Sequence, residues 1–149
     1  MRALLAFAFA AACTLAAPAA AQDSVKVRYV PSYPPPDRSS EVVQLSVSRI
    51  ASATPGRELD VDRYFATVRG FVTDERLPER WGSVTPDAAW VELEIVLGGR
   101  RHLLANAWGP DGPALPANAS AADRRIAAAF GKILGLTFER AKRTLAVTP

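Results

Sequence analysis

The sequence predicts an α+β domain: a small antiparallel sheet with helices packed on one face and a C-terminal helix covering the core. Three features carry this reading. Apolar and polar side chains alternate along two early segments, as they do in half-buried strands. A pair of apolar-rich runs flanks Leu97-Gly98-Gly99-Arg100, as in a hairpin. Apolar residues recur at helical spacing after Asp60 and again after Ser120. The resulting order of strand, strand, helix, hairpin, helix fits an antiparallel sheet with one covered face.

The N-terminus reads as a cleavable secretory signal peptide over residues 1–21. Arg2 provides the positive start, residues 3–15 form an uncharged apolar run, and Ala19-Ala20-Ala21 is a small-residue cleavage pattern before Gln22-Asp23-Ser24. The apolar run is too short for a membrane-spanning helix, which needs roughly 20 apolar residues. Export to the periplasm or the exterior is the expected location. A bacterial lipoprotein cut before Cys13 is the competing reading, but Ala10-Ala11-Ala12 lacks the large aliphatic residue such signals carry. Cleavage after Ala21 removes Cys13, the one cysteine, and with it any disulfide, thiol nucleophile or cysteine metal ligand.

The organisation expected beyond the signal is an N-terminal strand and proline-rich connector over 22–41, then one α+β domain over 42–149. Eighteen basic against fifteen acidic residues give a net charge of +3, which falls to +2 when Arg2 leaves with the signal. Such a small surplus lacks the clustered excess of a nucleic-acid binder.

Val25-Lys26-Val27-Arg28-Tyr29-Val30 alternates apolar and basic side chains up to Pro31. The run Pro31-Ser32-Tyr33-Pro34-Pro35-Pro36 is extended by necessity and reads as a stiff connector. Residues 42–50 form the clearest strand, with Val43, Leu45 and Val47 on its core side. After a turn at Thr54-Pro55-Gly56-Arg57, Asp60 or Asp62 caps a helix bearing Val61, Phe65, Val68 and Val72, which Gly70 weakens. Residues 73–89 read as a long loop pinned by Leu77 and Trp81.

The hairpin over 90–108 admits two registers. A two-residue Gly98-Gly99 turn places Arg100 and His102 beside Val91, Leu93 and Ile95, leaving that face half polar. A three-residue loop, Leu97-Gly98-Gly99, pairs Val96 with Arg100 and collects Val91, Leu93, Ile95, Leu103, Ala105 and Ala107 on one face. The second register is the expected one. It places Trp90, Glu92, Glu94, Arg100, His102, Leu104, Asn106 and Trp108 together on the other face.

Ser120-Ala121-Ala122-Asp123 resembles a capping box that opens a helix running to about Thr144. Its expected buried stripe is Ile126, Phe130, Ile133, Thr137 and Ala141, widened by Leu134 and Phe138. Ala127, Gly131 and Gly135 recur every four residues, which predicts close approach of this helix to the sheet.

For function, the sequence excludes more than it selects. His102 is the one histidine, so a zinc site lacks ligands, and no phosphate-binding, dinucleotide or nucleophile-elbow motif is present. No cofactor is expected. The hairpin face offers two readings. Glu92 and Glu94, with Cβ atoms about 7 Å apart, and His102 opposite Glu94 are the candidate catalytic groups, with Glu94 and His102 as the acid–base pair of a small hydrolase. Alternatively, Trp90, Leu104 and Trp108 beside Arg100 and Asn106 form a binding surface for an envelope protein or a glycan, which makes a noncatalytic binding module the leading expectation. A third reading is a structural or assembly factor at the membrane surface, with Arg124, Arg125, Lys132, Arg140, Lys142 and Arg143 as a basic helix face toward anionic lipid.

Signal cleavage predicts a mature protein beginning at Gln22. Mass determination of the N-terminus tests this, and a lipid-modified product starting at Cys13 would overturn both the cleavage after Ala21 and the cysteine-free expectation.

Overall fold

Strand β1 (Ser24–Val30) lies between β2 (Val43–Ser48) and β4 (Trp90–Leu97), antiparallel to both, so the N-terminal strand belongs to the interior of the sheet. The computed structural model describes residues 22–31, 43–48, 58–83, 88–109 and 112–145. The expected signal peptide, the run Pro34-Pro35-Pro36 and the turn at residues 54–57 lie outside the described residues. Helix α1 (Glu58–Asp74) and strand β3 (Arg80–Trp81) separate β2 from β4, and β4 turns directly into β5 (Arg100–Gly109). A two-residue strand, β6 (Gly112–Pro113), precedes helix α2 (Ala121–Leu145). The strand order is β2-β1-β4-β5-β3, with β6 attached to β5 and β3 parallel to it.

Alternation dictates which face is buried. Val25 and Val27 of β1 stand between Val47 and Leu45 of β2 and Ile95 and Leu93 of β4. Val25, Val27, Val47, Leu93 and Ile95 are buried, while Lys26 and Arg28 between them are exposed. Both helices cover this one side. Val61, Tyr64, Phe65 and Val68 of α1 and Ala129, Phe130, Ile133 and Leu134 of α2 join the strand residues in one core.

The hairpin takes the register that the sequence reading set aside. Leu97 pairs with Arg100, Ile95 with His102, Leu93 with Leu104 and Val91 with Asn106, leaving a two-residue Gly98-Gly99 turn. Both glycines are left-handed, with φ of 55° and 82°. That is the type I′ pattern, whose twist matches that of the flanking strands. Asp23 Oδ1 accepts a 2.8 Å hydrogen bond from the Gly98 amide and ties β1 to the turn. The half-polar inner face is tolerated because its polar groups are satisfied. His102 Nδ1 bonds the Pro78 carbonyl at 3.0 Å, and Asn106 Oδ1 accepts from the Ala107 amide at 2.9 Å. Arg100 sits at the exposed rim. A buried polar group without a partner would cost about 1–3 kcal/mol; among the described residues no buried side-chain nitrogen or oxygen is left so.

The segment over 73–89 is less of a loop than expected. α1 runs to Asp74, and the chain then leaves through Arg76 at φ 50°. The Leu77 amide bonds the Val72 carbonyl (3.0 Å) and the Arg76 amide bonds that of Thr73 (3.2 Å), a Schellman closure. Leu77 and Trp81 are pinning points, Leu77 buried and Trp81 edge-on to Phe130 with ring centroids 6.3 Å apart. Gly82 passes hard against β5: a Cβ there would lie 1.8 Å from the Ala105 carbonyl oxygen.

α2 opens with the expected cap. Asp123 donates its amide to Ser120 Oγ at 3.0 Å, and its Oδ2 accepts the Ser120 hydroxyl at 2.6 Å. Trp81 Nε1 donates to Oδ1 at 2.9 Å. The Ser120 bond foremost, then the Trp81 bond, hold this carboxyl below its ordinary value. Phe130, Ile133, Leu134 and Thr137 are buried as expected, but Phe138 is 40% exposed and Arg140 takes the inward position. Arg140 reaches Asp60 Oδ2 at 2.8 Å and stacks over Tyr64 with 5.7 Å from its guanidinium carbon to the ring centroid. Thr137 Oγ1 donates to the Ile133 carbonyl, so the Tyr64 hydroxyl, 2.7 Å away, donates to Thr137. Burial pushes the Tyr64 phenol up to about 12, which keeps it protonated for that role. The expected close approach of Gly131 and Gly135 to the sheet is not found. An added Cβ at either meets nothing within 4 Å, and Gly135 is exposed.

Two glycines therefore predict opposite outcomes. Gly135→Ala should stabilise the protein by about 0.5–1 kcal/mol, because alanine loses less backbone freedom in a helix. Gly82→Ala should unfold it or lower its melting temperature severely, since backbone must move to admit the methyl group. Thermal melts of both variants beside the parent test the pair.

Candidate functional site

Since the helices occupy one side of the sheet, no helix of the described residues covers the other side. The alternation that buries Val25, Val27, Leu93 and Ile95 sends Lys26, Arg28, Glu92, Glu94 and Trp90 outward. On β5 the same parity brings Arg101, Leu103, Ala105 and Ala107 to this face.

These side chains form a mixed surface. Trp90 pairs with Val30 on one side and Ala107 on the other, and the Arg28 guanidinium carbon lies 5.6 Å from a Trp90 ring centroid. That is cation–π range. Glu94 Oε1 accepts a 2.7 Å bond from Arg101 Nε, and Oε2 is 4.0 Å from Lys26 Nζ. Lys26, Arg28, Gln44, Glu92 and Glu94 surround a shallow depression of about 360 Å³ over β1, β2 and β4. Val96, Leu103, Ala105 and Ala107 add half-buried apolar surface beside the charges.

The hairpin register divides the residues expected to act together. Trp90, Glu92 and Glu94 share the open face, while Arg100, His102, Leu104, Asn106 and Trp108 belong to the opposite face. Leu104 is fully buried, Asn106 is buried, and Trp108 packs edge-on against Phe130 with centroids 5.8 Å apart. These three residues are core or its border. The expected pairing of Glu94 with His102 is replaced by Glu94 opposite Leu103 and His102 opposite Ile95. The imidazole and both carboxylates therefore lie on opposite sides of the sheet. Glu92 and Glu94 do share a side, but Glu94 is occupied by two cations.

The basic helix face is also divided. Arg140 is turned inward to Asp60, Lys142 Nζ pairs with Glu139 at 2.9 Å, and Lys132 lies over the Phe71 ring. Arg124 folds back onto the Ala119 carbonyl at 3.2 Å, Arg125 is exposed, and the side chain of Arg143 lies outside the described ones. The cations do not form one unengaged surface.

Arg28, Lys26, Arg101 and Leu103 are members of the open face that the sequence reading left out. The signal available was the Gly98-Gly99 pair itself, since two adjacent glycines between apolar runs suit a type I′ turn. No protein-family model matches the chain, and no curated protein or solved structure shows significant similarity to it.

Because Trp108 is packed on Phe130, Trp108→Ala should destabilise the domain by about 2–3 kcal/mol, below the full range for a wholly buried tryptophan. A denaturant titration measures it. An unchanged midpoint would place Trp108 outside the core.

Proposed function

We propose that the protein is an exported bacterial envelope domain that acts by binding a partner protein on the open face of its sheet, without a reaction of its own. The observation that supports this most is Trp90, its ring 5.6 Å from the Arg28 guanidinium carbon, on a face that no helix of the described residues covers and that also carries Val96, Leu103, Ala105, Ala107 and charges of both signs. Aromatic anchors and arginine are the residue types on which binding energy concentrates, and a polar surround excludes water from them. The surface is broad, spans at least three strands and carries mutually compensated charges. Those properties suit a protein surface better than a single sugar chain. The Arg28–Trp90 stack also limits the side-chain freedom lost on association.

Trp90→Ala should weaken partner association by about 2 kcal/mol, roughly 30-fold, and leave the melting temperature within a few degrees of the parent. The measurement is retrieval of envelope proteins on immobilised parent and Trp90→Ala protein, followed by titration with the protein retrieved. Trp108→Ala serves as the contrast, losing stability rather than contacts. Equal retrieval by parent and Trp90→Ala protein would remove the open face as the binding surface, and retention only of cell-wall fragments would replace the protein partner by a glycan.

A further inference from the structure

The rim where α1 ends beside the hairpin turn holds a cleft of about 480 Å³. Arg69, Val72, Thr73, Arg76 and Leu77 line it from the helix side, and Leu97, Gly98, Arg100 and His102 line it from the hairpin. It lies at the end of the sheet and is separate from the open face.

Its charges are unequally engaged. Arg69 Nη2 is 3.1 Å from Asp23 Oδ2, so that pair is locally neutral. Among the described residues neither Arg76 nor Arg100 makes an ion pair. Two arginines without an ion-pair partner among the described residues therefore line the cleft. The C-terminus of α1 carries a partial negative charge equivalent to about half an electron. Its Phe71, Val72 and Thr73 carbonyls already accept the Glu75, Leu77 and Arg76 amides, at 3.2, 3.0 and 3.2 Å. Two full positive charges outweigh that dipole.

The remaining walls add specificity. His102 lines the cleft, its ring held by a 3.0 Å hydrogen bond between Nδ1 and the Pro78 carbonyl. Val72, Leu77 and Leu97 supply apolar surface. Arg76 occupies the left-handed position of the helix closure, with φ 50°, where glycine is ordinarily favoured. An arginine there strains the backbone, and Arg76 lines the cleft from that position.

We propose that this cleft binds a small organic anion, with its charged head at Arg76 and Arg100 and its apolar body against Val72, Leu77 and Leu97. Such bidentate guanidinium recognition suits a carboxylate head.

The test is a titration of the mature protein with octanoate, followed by amide NMR shifts, beside octanamide and inorganic phosphate. Octanoate should shift Gly98, Arg100 and His102 saturably. Arg76→Gln with Arg100→Gln should weaken it at least tenfold, and octanamide should bind correspondingly more weakly. Arg76→Gly gives a second readout: it should melt higher than the parent, by relief of the left-handed strain, and bind octanoate more weakly. Absence of octanoate shifts at the cleft would overturn the proposal. So would equal binding of octanamide, or of the double variant, which would reduce the cleft to an apolar depression. Phosphate binding as tight as octanoate binding would refute the role of the apolar wall.

Discussion

The left-handed pair Gly98 and Gly99 sets the register of the β4–β5 hairpin, and the rest of the molecule is arranged on that register. With φ of 55° and 82° the turn closes in two residues, so Leu97 meets Arg100 and every second residue of β5 is committed to a side. A slip by one would send Leu104 to solvent and bring Arg101 inward. Instead Leu104 lies under the helices beside Leu93, and Trp108 reaches Phe130. The Asp23 bond to the Gly98 amide extends this control to β1, whose own pairing then aligns β2.

Over this sheet the helix layer is held by apolar packing at its centre and by polar contacts at its edges. Phe130 is fully buried and meets both Trp81 and Trp108 edge-on. Burial of such a side chain contributes about 1.5–3 kcal/mol, and favourable ring geometry adds to it. Near the other end of α2, Arg140 joins Asp60 and Tyr64 while the Tyr64 hydroxyl meets Thr137. Asp60 is largely exposed and Arg140 is not. This arrangement lets the guanidinium keep a solvated partner and avoids the full cost of a buried ion pair. The polar link also fixes the rotation of α2 about its axis, which turns Phe138 outward.

One consequence of the two-layer design is that the two candidate sites are physically independent. The open face depends on the outward parity of β1, β4 and β5, whereas the arginine-lined cleft depends on the end of α1 and the hairpin tip. Arg100 belongs to the cleft and Trp90 to the face, although both were expected on one surface. His102 likewise serves the cleft and the Pro78 carbonyl rather than the carboxylates across the sheet.

Much of the fold was legible in local pattern. Alternation in residues 25–30 and 42–50, the spacing of Val61, Phe65 and Val68, and the Ser120-to-Asp123 cap all express chemistry confined to neighbours in sequence. So the sequence by itself determined the four longer strands, the two helices, the α+β class and the inward stripe of α2 through Phe130, Ile133 and Thr137, whereas the two-residue strands β3 and β6 fall in stretches that read as loops. It did not determine the hairpin register, because the apparent penalty for a half-polar face vanishes once Pro78 supplies an acceptor for His102, a contact 24 residues away. Nor could it show that Gly131 and Gly135 face open space, that Arg140 turns inward to an aspartate 80 residues away, or that Gly82 must be glycine because β5 passes there. Those outcomes depend on which distant groups meet, and only tertiary packing brings them within hydrogen-bonding or van der Waals range.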